Sequence, residues 1–539
     1  MDYKERSLFL EERIKRLNEI GIALSTESNT NRLFEMILEE ARHITNADGR
    51  TLYMKDADGN LKFEIMATDS KNFYMGGTSG KDIPYPPLAL IKDGEPNHSN
   101  VCCHVAITGE PSNIVDAYDN KEFDFSGTKA FDSGNDYRSK SFLTVPLKNH
   151  ENEIIGVMQL LNAKDLKTGE TISFSEDMEN QIISLASQGA VALTNKRLVE
   201  ELKTLFESFI RLIATAIDKK SEYTGGHCER VPEITMLLAD AVENTKEGTY
   251  KDFSMTEDER YELYIAAWLH DCGKVATPVH VVDKATKLET IYDRIENVQT
   301  RFEILKRDVE IKFLNRKIEL LKNGDLDGIK AAERERDLQL NQFDDDLSFV
   351  EKSNVGGEFM QEEDQDRIRQ IAKYEWSYKG EIKSFLSELE VRNLTIAKGT
   401  LLPEERETIN DHIVITIDML EKLPYPKNLK NVPEFAGGHH ETLDGKGYPK
   451  GLTGDQMSVQ AKMMAIADIY EALTASDRPY KDGKKLSHAM RIMGFMRNDY
   501  HIDEELFEIF VKEGVYKQYA TKYLSDSQVD KVDESAILN

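Results

Sequence analysis

Cysteine is scarce in this chain, with four residues among 539, and the four form no C-x-x-C pair. So few cysteines argue against the disulfide framework of a small secreted protein. Long apolar runs are also missing, because no stretch approaches the 18 residues of a membrane-spanning helix. The first 17 residues have the pattern of a charged amphipathic helix, not of a signal peptide. We therefore expect a cytoplasmic protein with no membrane partner.

Basic residues are too few to balance the acidic ones. The chain has 69 Lys and Arg against 97 Asp and Glu, which gives a formal net charge of −28. A surface of that sign repels phosphate backbones, so we expect no nucleic-acid polymer as a partner. A small anionic ligand could still bind through metal ions or a few placed cations. The charge balance therefore favours a ligand site made of a few localised positive groups over an extended basic surface.

The chain is too long for one hydrophobic core, and its pattern changes along its length. Residues 1–25 predict a helix. Residues 26–171 alternate helical and strand patterns, with an amphipathic helix over 29–47 and hairpins over 51–67 and 141–163. This alternation predicts a small α+β domain.

Residues 172–218 predict one long helix with apolar residues at three-to-four spacing. We expect a parallel coiled coil that links the two subunits of a homodimer. A helix packed on its own domain is the alternative. The spaced residues are Ile182, Leu185, Val191, Leu198, Leu202, Leu205, Phe209 and Leu212.

Residues 219–539 are mostly helical in pattern, and a very polar block over about 284–400 interrupts them. The block predicts an inserted helical hairpin, in which Phe302, Leu305 and Val309 have coiled-coil-like spacing. Its interior, residues 323–366, contains GDLDG, DDD and GG. We expect that interior to be rich in loops and mobile.

Histidines and carboxylates concentrate in short motifs of this helical region. His270 and Asp271 end an apolar helix, YELYIAAWLH, and Asp468 lies in the apolar stretch MMAIADIYEAL. A lone histidine on a helix is usually only solvated or hydrogen-bonded. A buried carboxylate, in contrast, costs folding free energy unless a positive group neutralises its charge. Two such acids with five histidines suit divalent cations. The other four histidines are His227, His412, His439 and His440.

Together these motifs resemble the signature of the HD-GYP family, a branch of the HD metal-dependent phosphohydrolases. In this sequence the signature is His227, HDCGK at 270–274, His412, HHE at 439–441, DGKGYP at 444–449 and Asp468. The resemblance covers roughly residues 205–510 without the insertion. It implies an all-helical HD-type domain that hydrolyses a cyclic dinucleotide, mainly cyclic di-GMP and in some members cyclic GMP-AMP.

The resemblance also implies a site with two metal ions, for which the family favours iron or manganese. Two such ions can activate water as hydroxide and neutralise charge on the attacked phosphate. Some family members bind a third ion through a glutamate that is Tyr223 here, so we expect two. One ion would be held by His227, His270, Asp271 and Asp468, and the other by His412, His439 and His440, with Asp271 as a catalytic bridge.

Further residues are expected to bind the substrate. Lys274 lies one turn beyond the start of the HDCGK motif and can reach the attacked phosphate, which makes it the second catalytic candidate. Arg478 and Lys481 would bind the second phosphate or a guanine, unless they form a solvated turn. Tyr448 is expected at the substrate or as a brace for the histidines. Glu471 stands where the family usually has Asp, and we expect it to bind substrate or position water.

The N-terminal α+β pattern, followed by the long helix, resembles a GAF domain. A loose match of Asn120, Lys121, Phe131 and Asp132 to the cyclic-nucleotide signature leaves two alternatives, an unknown small-molecule ligand or no ligand. The expected chain is thus multidomain, with a GAF-like sensor, a linker helix and an HD-type helical domain. A non-catalytic cyclic-dinucleotide receptor and a hydrolase of triphosphates or linear alarmones remain as alternatives.

Overall fold

The computed structural model describes residues 15, 19–24, 26–27, 29–220, 226–357, 359–476 and 483–538. The chain divides into two compact units, one ending at Leu205 and the other beginning at Phe206. The helix expected over residues 1–25 lies largely outside the described part, although residues 19–24 are helical. Among the described residues, no helix is long and apolar enough to cross a bilayer.

The first unit is a seven-stranded antiparallel sheet with helices on both faces. The helices are α1 (Thr30–Thr45), α2 (Val101–Thr108) and α3 (Ser126–Asn135). The strands are β1 (Ala47–Lys55), β2 (Leu61–Thr68), β3 (Phe73–Gly76), β4 (Ile91–Lys92), β5 (Glu95–Pro96), β6 (Ser112–Ile114), β7 (Phe142–Lys148), β8 (Ile154–Lys164) and β9 (Thr171–Ile172). The sheet order is β3-β2-β1-β8-β7-β6, with β9 beside β8, and β4 and β5 form a separate hairpin.

Local sequence explains how this unit begins. The side chain of Asn29 accepts a hydrogen bond from the Arg32 backbone N–H at 3.0 Å and caps α1. The apolar stripe of α1 is buried against one face of the sheet, while α2 covers part of the other face. The expected α+β domain is therefore confirmed.

A 45-residue helix, α4 (Glu176–Lys220), follows the sheet. Its first half packs into the core of the first unit, so Ile182 and Leu185 do not lie on a free seam as expected for a coiled coil. Near its end, Ile210, Ala214 and Ile217 join the core of the second unit. Val191 of the predicted seam is half-buried. The last five apolar side chains of the seam are 43% to 63% exposed, and they are Leu198, Leu202, Leu205, Phe209 and Leu212.

The second unit is almost entirely helical, as expected. Outside the insertion its helices are α5 (His227–Asn244), α6 (Glu257–Leu269), α7 (Val279–Val282), α12 (Pro403–Glu421), α13 (Val432–Gly437), α14 (Val459–Thr474), α15 (Leu486–Asn498), α16 (Glu504–Lys512), α17 (Val515–Tyr523) and α18 (Glu534–Leu538). In the main core, α5 packs against α6 and α14, and α13 packs against α6 and α12.

The inserted block forms a subdomain with its own apolar core around Phe302, Val350 and Phe385. The predicted helical hairpin is present, and a small β-hairpin and two short helices follow it. In chain order the elements are α8 (Ile295–Lys322), α9 (Leu326–Val355), α10 (Glu362–Ile371), β10 (Glu375–Tyr378), β11 (Glu381–Ser384) and α11 (Glu388–Leu394).

The expectation of a loop-rich interior over 323–366 was wrong, because α9 occupies most of it. Asp325 of the GDLDG stretch caps α9 by accepting the Gly328 N–H at 2.8 Å. In the DDD stretch, Asp346 is buried and accepts bonds from Arg367 and Tyr374. Residues typical of turns thus serve here as a helix cap and as a buried hydrogen-bond acceptor.

Candidate metal centre

The seven predicted metal ligands converge in the core of the second unit. His227 begins α5, and His270 with Asp271 follows the buried end of α6. His412 lies in the middle of α12, and Asp468 lies in the middle of α14. The pair at 439–440 follows α13. Helices far apart in sequence therefore present these side chains to one place.

His227 is at the centre of the first cluster. Its Nε2 lies 3.3 Å from His270 Nε2, 3.1 Å from Asp271 Oδ2 and 3.2 Å from Asp468 Oδ1. Donor atoms that share one ion at about 2.1 Å lie on the order of 3 Å apart. The ligand atoms of His227, His270 and Asp468 all fall within 4.8 Å of one another.

Three histidines form the second cluster. His412 Nε2 lies 3.1 Å from His440 Nε2, and ligand atoms of His412, His439 and His440 lie within 4.8 Å of one another. His412 Nε2 is also 3.2 Å from Asp271 Oδ1, whereas the other oxygen of Asp271 faces His227. Asp271 therefore stands between the clusters with one oxygen toward each.

The imidazole hydrogen bonds fit a metal centre. His270, His412 and His439 each donate Nδ1–H to the backbone carbonyl three residues earlier, at 2.7, 2.5 and 2.6 Å. Because a carbonyl can only accept, the neutral form of each ring has its lone pair on Nε2, which points inward. His439 Nε2 is buried and meets no hydrogen-bond partner in the described part of the chain. The donor set therefore fits divalent cations.

The pKa values of these side chains also fit a metal centre. Burial, aided by His440 and His270, holds the pKa of His439 well below its usual value. Burial likewise lowers the pKa of His440 to about 4, so both rings are neutral near pH 7, as metal ligands must be. Burial acts to raise the pKa of Asp271, but Lys274 and His270 outweigh it and hold that pKa far below its usual value.

Gly273 of the HDCGK motif allows two ligand-bearing segments to approach closely. A Cβ at this position would lie 2.0 Å from the His412 carbonyl oxygen and 2.6 Å from the Thr416 nitrogen. The Gly273 N–H instead donates to Thr416 Oγ1 at 2.9 Å. The motif glycine thus holds Asp271 next to α12.

The loop with the Gly-Tyr-Pro sequence supports the second cluster. A Cβ at Gly447 would lie 2.3 Å from the Thr442 nitrogen, so glycine is needed there. Glu441 is buried and accepts the backbone N–H groups of Lys450 and Leu452 at 2.7 and 2.9 Å. Tyr448 stacks on His440 with ring centroids 4.9 Å apart. This stacking favours the bracing role for Tyr448.

Lys274 Nζ lies 2.5 Å from Asp271 Oδ2, and 26% of the Lys274 side chain is exposed. Glu471, which was expected to bind substrate or position water, is more enclosed. It is 1% exposed, and its two oxygens are bonded to His227 and Arg230. A carboxylate so enclosed lies behind a ligand and does not face a substrate, so its expected substrate contact is corrected to a support for His227. Arg478, Lys481 and Tyr223 lie outside the described residues.

Sequence reasoning missed Arg230 and Thr416. Arg230 lies three residues after His227, on the same helix face, just as Glu471 lies three residues after Asp468. This equal spacing on the two helices could have predicted an ion pair behind the ligands. Nothing in the sequence pairs Thr416 with Gly273, because their bond joins segments 143 residues apart.

Comparison with known proteins agrees with this geometry. A model of the HD domain matches residues 389–506, which include His412, His439, His440 and Asp468 but not His227 or Asp271. A model of the GAF domain matches residues 29–193. These matches correspond to the helical second unit and to the sheet of the first.

Three curated relatives are similar to short parts of the chain. A 3'3'-cGAMP-specific phosphodiesterase 1 from Vibrio cholerae serotype O1 is 36% identical over 99 residues, which are 18% of this chain and 22% of that protein. A 3'3'-cGAMP-specific phosphodiesterase 3 from the same organism is 34% identical over 131 residues, 24% and 26% of the two chains. A cyclic di-GMP phosphodiesterase from Pseudomonas aeruginosa is 42% identical over 97 residues, 18% and 23%.

The alignments span about a quarter of the length of these relatives. Each domain match agrees with the fold of the unit in which it lies. The chain carries a GAF domain in its first unit and an HD domain in its second.

Proposed function

We propose that the HD domain is a metal-dependent phosphodiesterase that hydrolyses a cyclic dinucleotide, with cyclic di-GMP as the preferred substrate. The observation that carries the proposal is the pair of ligand clusters that share Asp271. The relatives named above, which are phosphodiesterases of cyclic di-GMP and of 3'3'-cGAMP, support the substrate class. Cyclic GMP-AMP is the alternative substrate.

The proposed chemistry uses two divalent cations, with iron or manganese favoured. When bound, two such ions supply positive charge to the attacked phosphate and lower the pKa of a bound water. His227, His270 and Asp468 would hold one ion, and the three histidines of the second cluster would hold the other. Asp271 would bridge the two ions and fix their separation.

Other side chains would act on the substrate directly. The Lys274 ammonium is partly exposed and lies beside Asp271, so it can offer hydrogen bonds to the same phosphate. Tyr448 would keep the His440 ring in place from the loop side. Arg478 and Lys481 would bind the second phosphate or a guanine.

A product assay with matched variants tests this function. Purified protein is loaded with Mn²⁺ or Fe²⁺ and given cyclic di-GMP or cyclic GMP-AMP, and chromatography separates linear dinucleotide from mononucleotides. Asp271→Ala should abolish turnover, whereas His280→Ala should not, because His280 is exposed and belongs to no ligand cluster found in the described residues. Dinucleotide binding without bound metal would favour the receptor alternative. Turnover of triphosphates alone would favour the other hydrolase class.

We further propose that the exposed seam of α4 forms a parallel coiled coil in a homodimer. Leu198, Leu202, Leu205, Phe209 and Leu212 alternate at spacings of four and three, the pattern of a coiled-coil seam. An apolar stripe this exposed is unusual on a helix that remains solvated. Light scattering should find a dimer for the wild type and a monomer for Leu202→Glu, and a monomeric wild type would refute the proposal.

The GAF domain would regulate the phosphodiesterase through α4, because this helix contributes side chains to the cores of both units. A cavity of about 540 Å³ in the GAF domain is lined by aromatic side chains including Tyr53, Phe63 and Phe142. That volume supports the small-molecule alternative for its signal. Asp132 of the loose nucleotide signature is buried and accepts bonds from Tyr118 and Ser139, so it serves the local structure.

A further inference from the structure

One ligand of the centre is held differently from the others. His270, His412 and His439 donate Nδ1–H to main-chain carbonyls. His227 Nδ1 instead bonds the carboxylate of Glu471, which is the one side-chain acceptor found for Nδ1 of these four rings in the described residues. A carboxylate acceptor strengthens a metal-bound imidazole as a donor more than a neutral carbonyl does. Within the described residues, the first cluster thus has a carboxylate support at Nδ1 that is not found in the second.

The support is itself anchored by a second charge. Arg230 Nε and Nη2 both bond Glu471 Oε1, at 2.7 and 2.6 Å, while the other oxygen faces His227. Glu471 is fully enclosed, so without the guanidinium its charge would be buried with too little compensation. These bonds at both oxygens fix the orientation of the Glu471 carboxylate.

The two helices carry ligand and support at the same spacing. On α5, Arg230 follows His227 by three residues, and on α14, Glu471 follows Asp468 by three. Residues three apart share a helix face, so the pair lies directly behind the two ligands. A shorter Asp at position 471 would leave a gap of one methylene toward His227 or Arg230. The longer side chain matches the distance between these partners.

We infer that Arg230 and Glu471 form a positioning pair that aims His227 Nε2 at the first metal ion. The pair thereby raises the affinity of the first cluster for its ion and leaves the affinity of the second cluster unchanged. The inference rests on the proposed metal-dependent function. Substitution of such outer supports typically lowers metal affinity by about 10- to 100-fold. Because Glu471 bonds His227 of the first cluster, the second ion should keep its three histidines when the pair is broken.

The test is a Co²⁺ titration of the full chain that is monitored by visible absorption, because the absorption spectrum reports the coordination of each ion. The wild type should bind two Co²⁺. In Glu471→Gln and Arg230→Met, one ion should bind about 10- to 100-fold more weakly with a changed spectrum, and the other as before. Arg230→Lys keeps the charge and should restore part of the loss, which a purely structural role would not require.

Arg301→Met is the matched control. Arg301 forms an equivalent half-buried pair with Glu390 inside the insertion, so its loss should leave both Co²⁺ affinities unchanged. If the Glu471 and Arg230 variants bind both ions with the wild-type affinity, the inference is wrong. It is also wrong if these variants lose affinity equally for both ions. A wild type that binds no Co²⁺ would instead refute the proposed function. Circular dichroism confirms folding, and Arg230→Lys serves if Glu471→Gln does not fold.

Discussion

Replacement of Gly273 by alanine should weaken both the fold and the second metal site. The backbone at Gly273 has no positive φ, so alanine meets no conformational penalty there and the cost is steric. Its Cβ would lie 2.0 Å from the His412 carbonyl oxygen, whereas close C···O contacts are about 3.3 Å. The HDCGK segment and α12 must therefore separate by more than about 1 Å.

The magnitude follows from this overlap. Overpacking of a tight core costs about 1–3 kcal/mol, and the upper end applies because the opposing atoms are backbone. The loss of unfolded-state entropy with alanine returns about 0.4–1 kcal/mol, so we expect a net loss of about 2 kcal/mol. Metal sites tolerate ligand displacements of only about 0.2 Å. A shift of His412 relative to Asp271 should thus lower the affinity for the second ion at least about tenfold.

Urea unfolding and metal analysis measure the two effects. Gly357→Ala is the control, because its added Cβ meets no atom within 4 Å in the described chain. We expect that control to behave as the wild type. If Gly273→Ala unfolds at the wild-type urea concentration and retains two ions, the argument from close approach is wrong.

Three further results are expected. Lys284→Met should lower the free energy of unfolding by about 2–3 kcal/mol in urea, because Lys284 is buried and bonds Glu405 at 2.7 Å; no change would contradict this. Burial acts to raise the pKa of Asp48, but hydrogen bonds, led by that of Lys164, lower it overall. That stabilisation is present above about pH 4 and lost below it, so the urea midpoints of Asp48→Asn and wild type should converge in acid. Chelation should lower the melting temperature of the HD domain and Mn²⁺ should restore it; an unchanged value after chelation would count against a metal centre.

The candidate metal ligands could be chosen from the sequence because each motif is local. An apolar helix that ends in His270-Asp271, and Asp468 within an apolar stretch, imply buried charge before any fold is known. Hydrophobic periodicity likewise predicted an α+β region and a helical region. The resemblances identified these regions as a GAF domain and an HD domain, which the family matches confirm. Local patterns failed over 323–366, where Asp325 caps a helix and Asp346 is a buried acceptor.

The arrangement around the ligands depended on tertiary structure. Only the folded chain brings Gly273 against α12 and encloses Glu471 between His227 and Arg230, because these partners lie far apart in sequence. The same holds for α4, whose periodic seam is buried at Ile182 and exposed at Leu202. Sequence determines which side chains can bind metal or form a seam, since those are properties of residue type and local period. Which atoms they meet is decided by packing, since that depends on distances between helices.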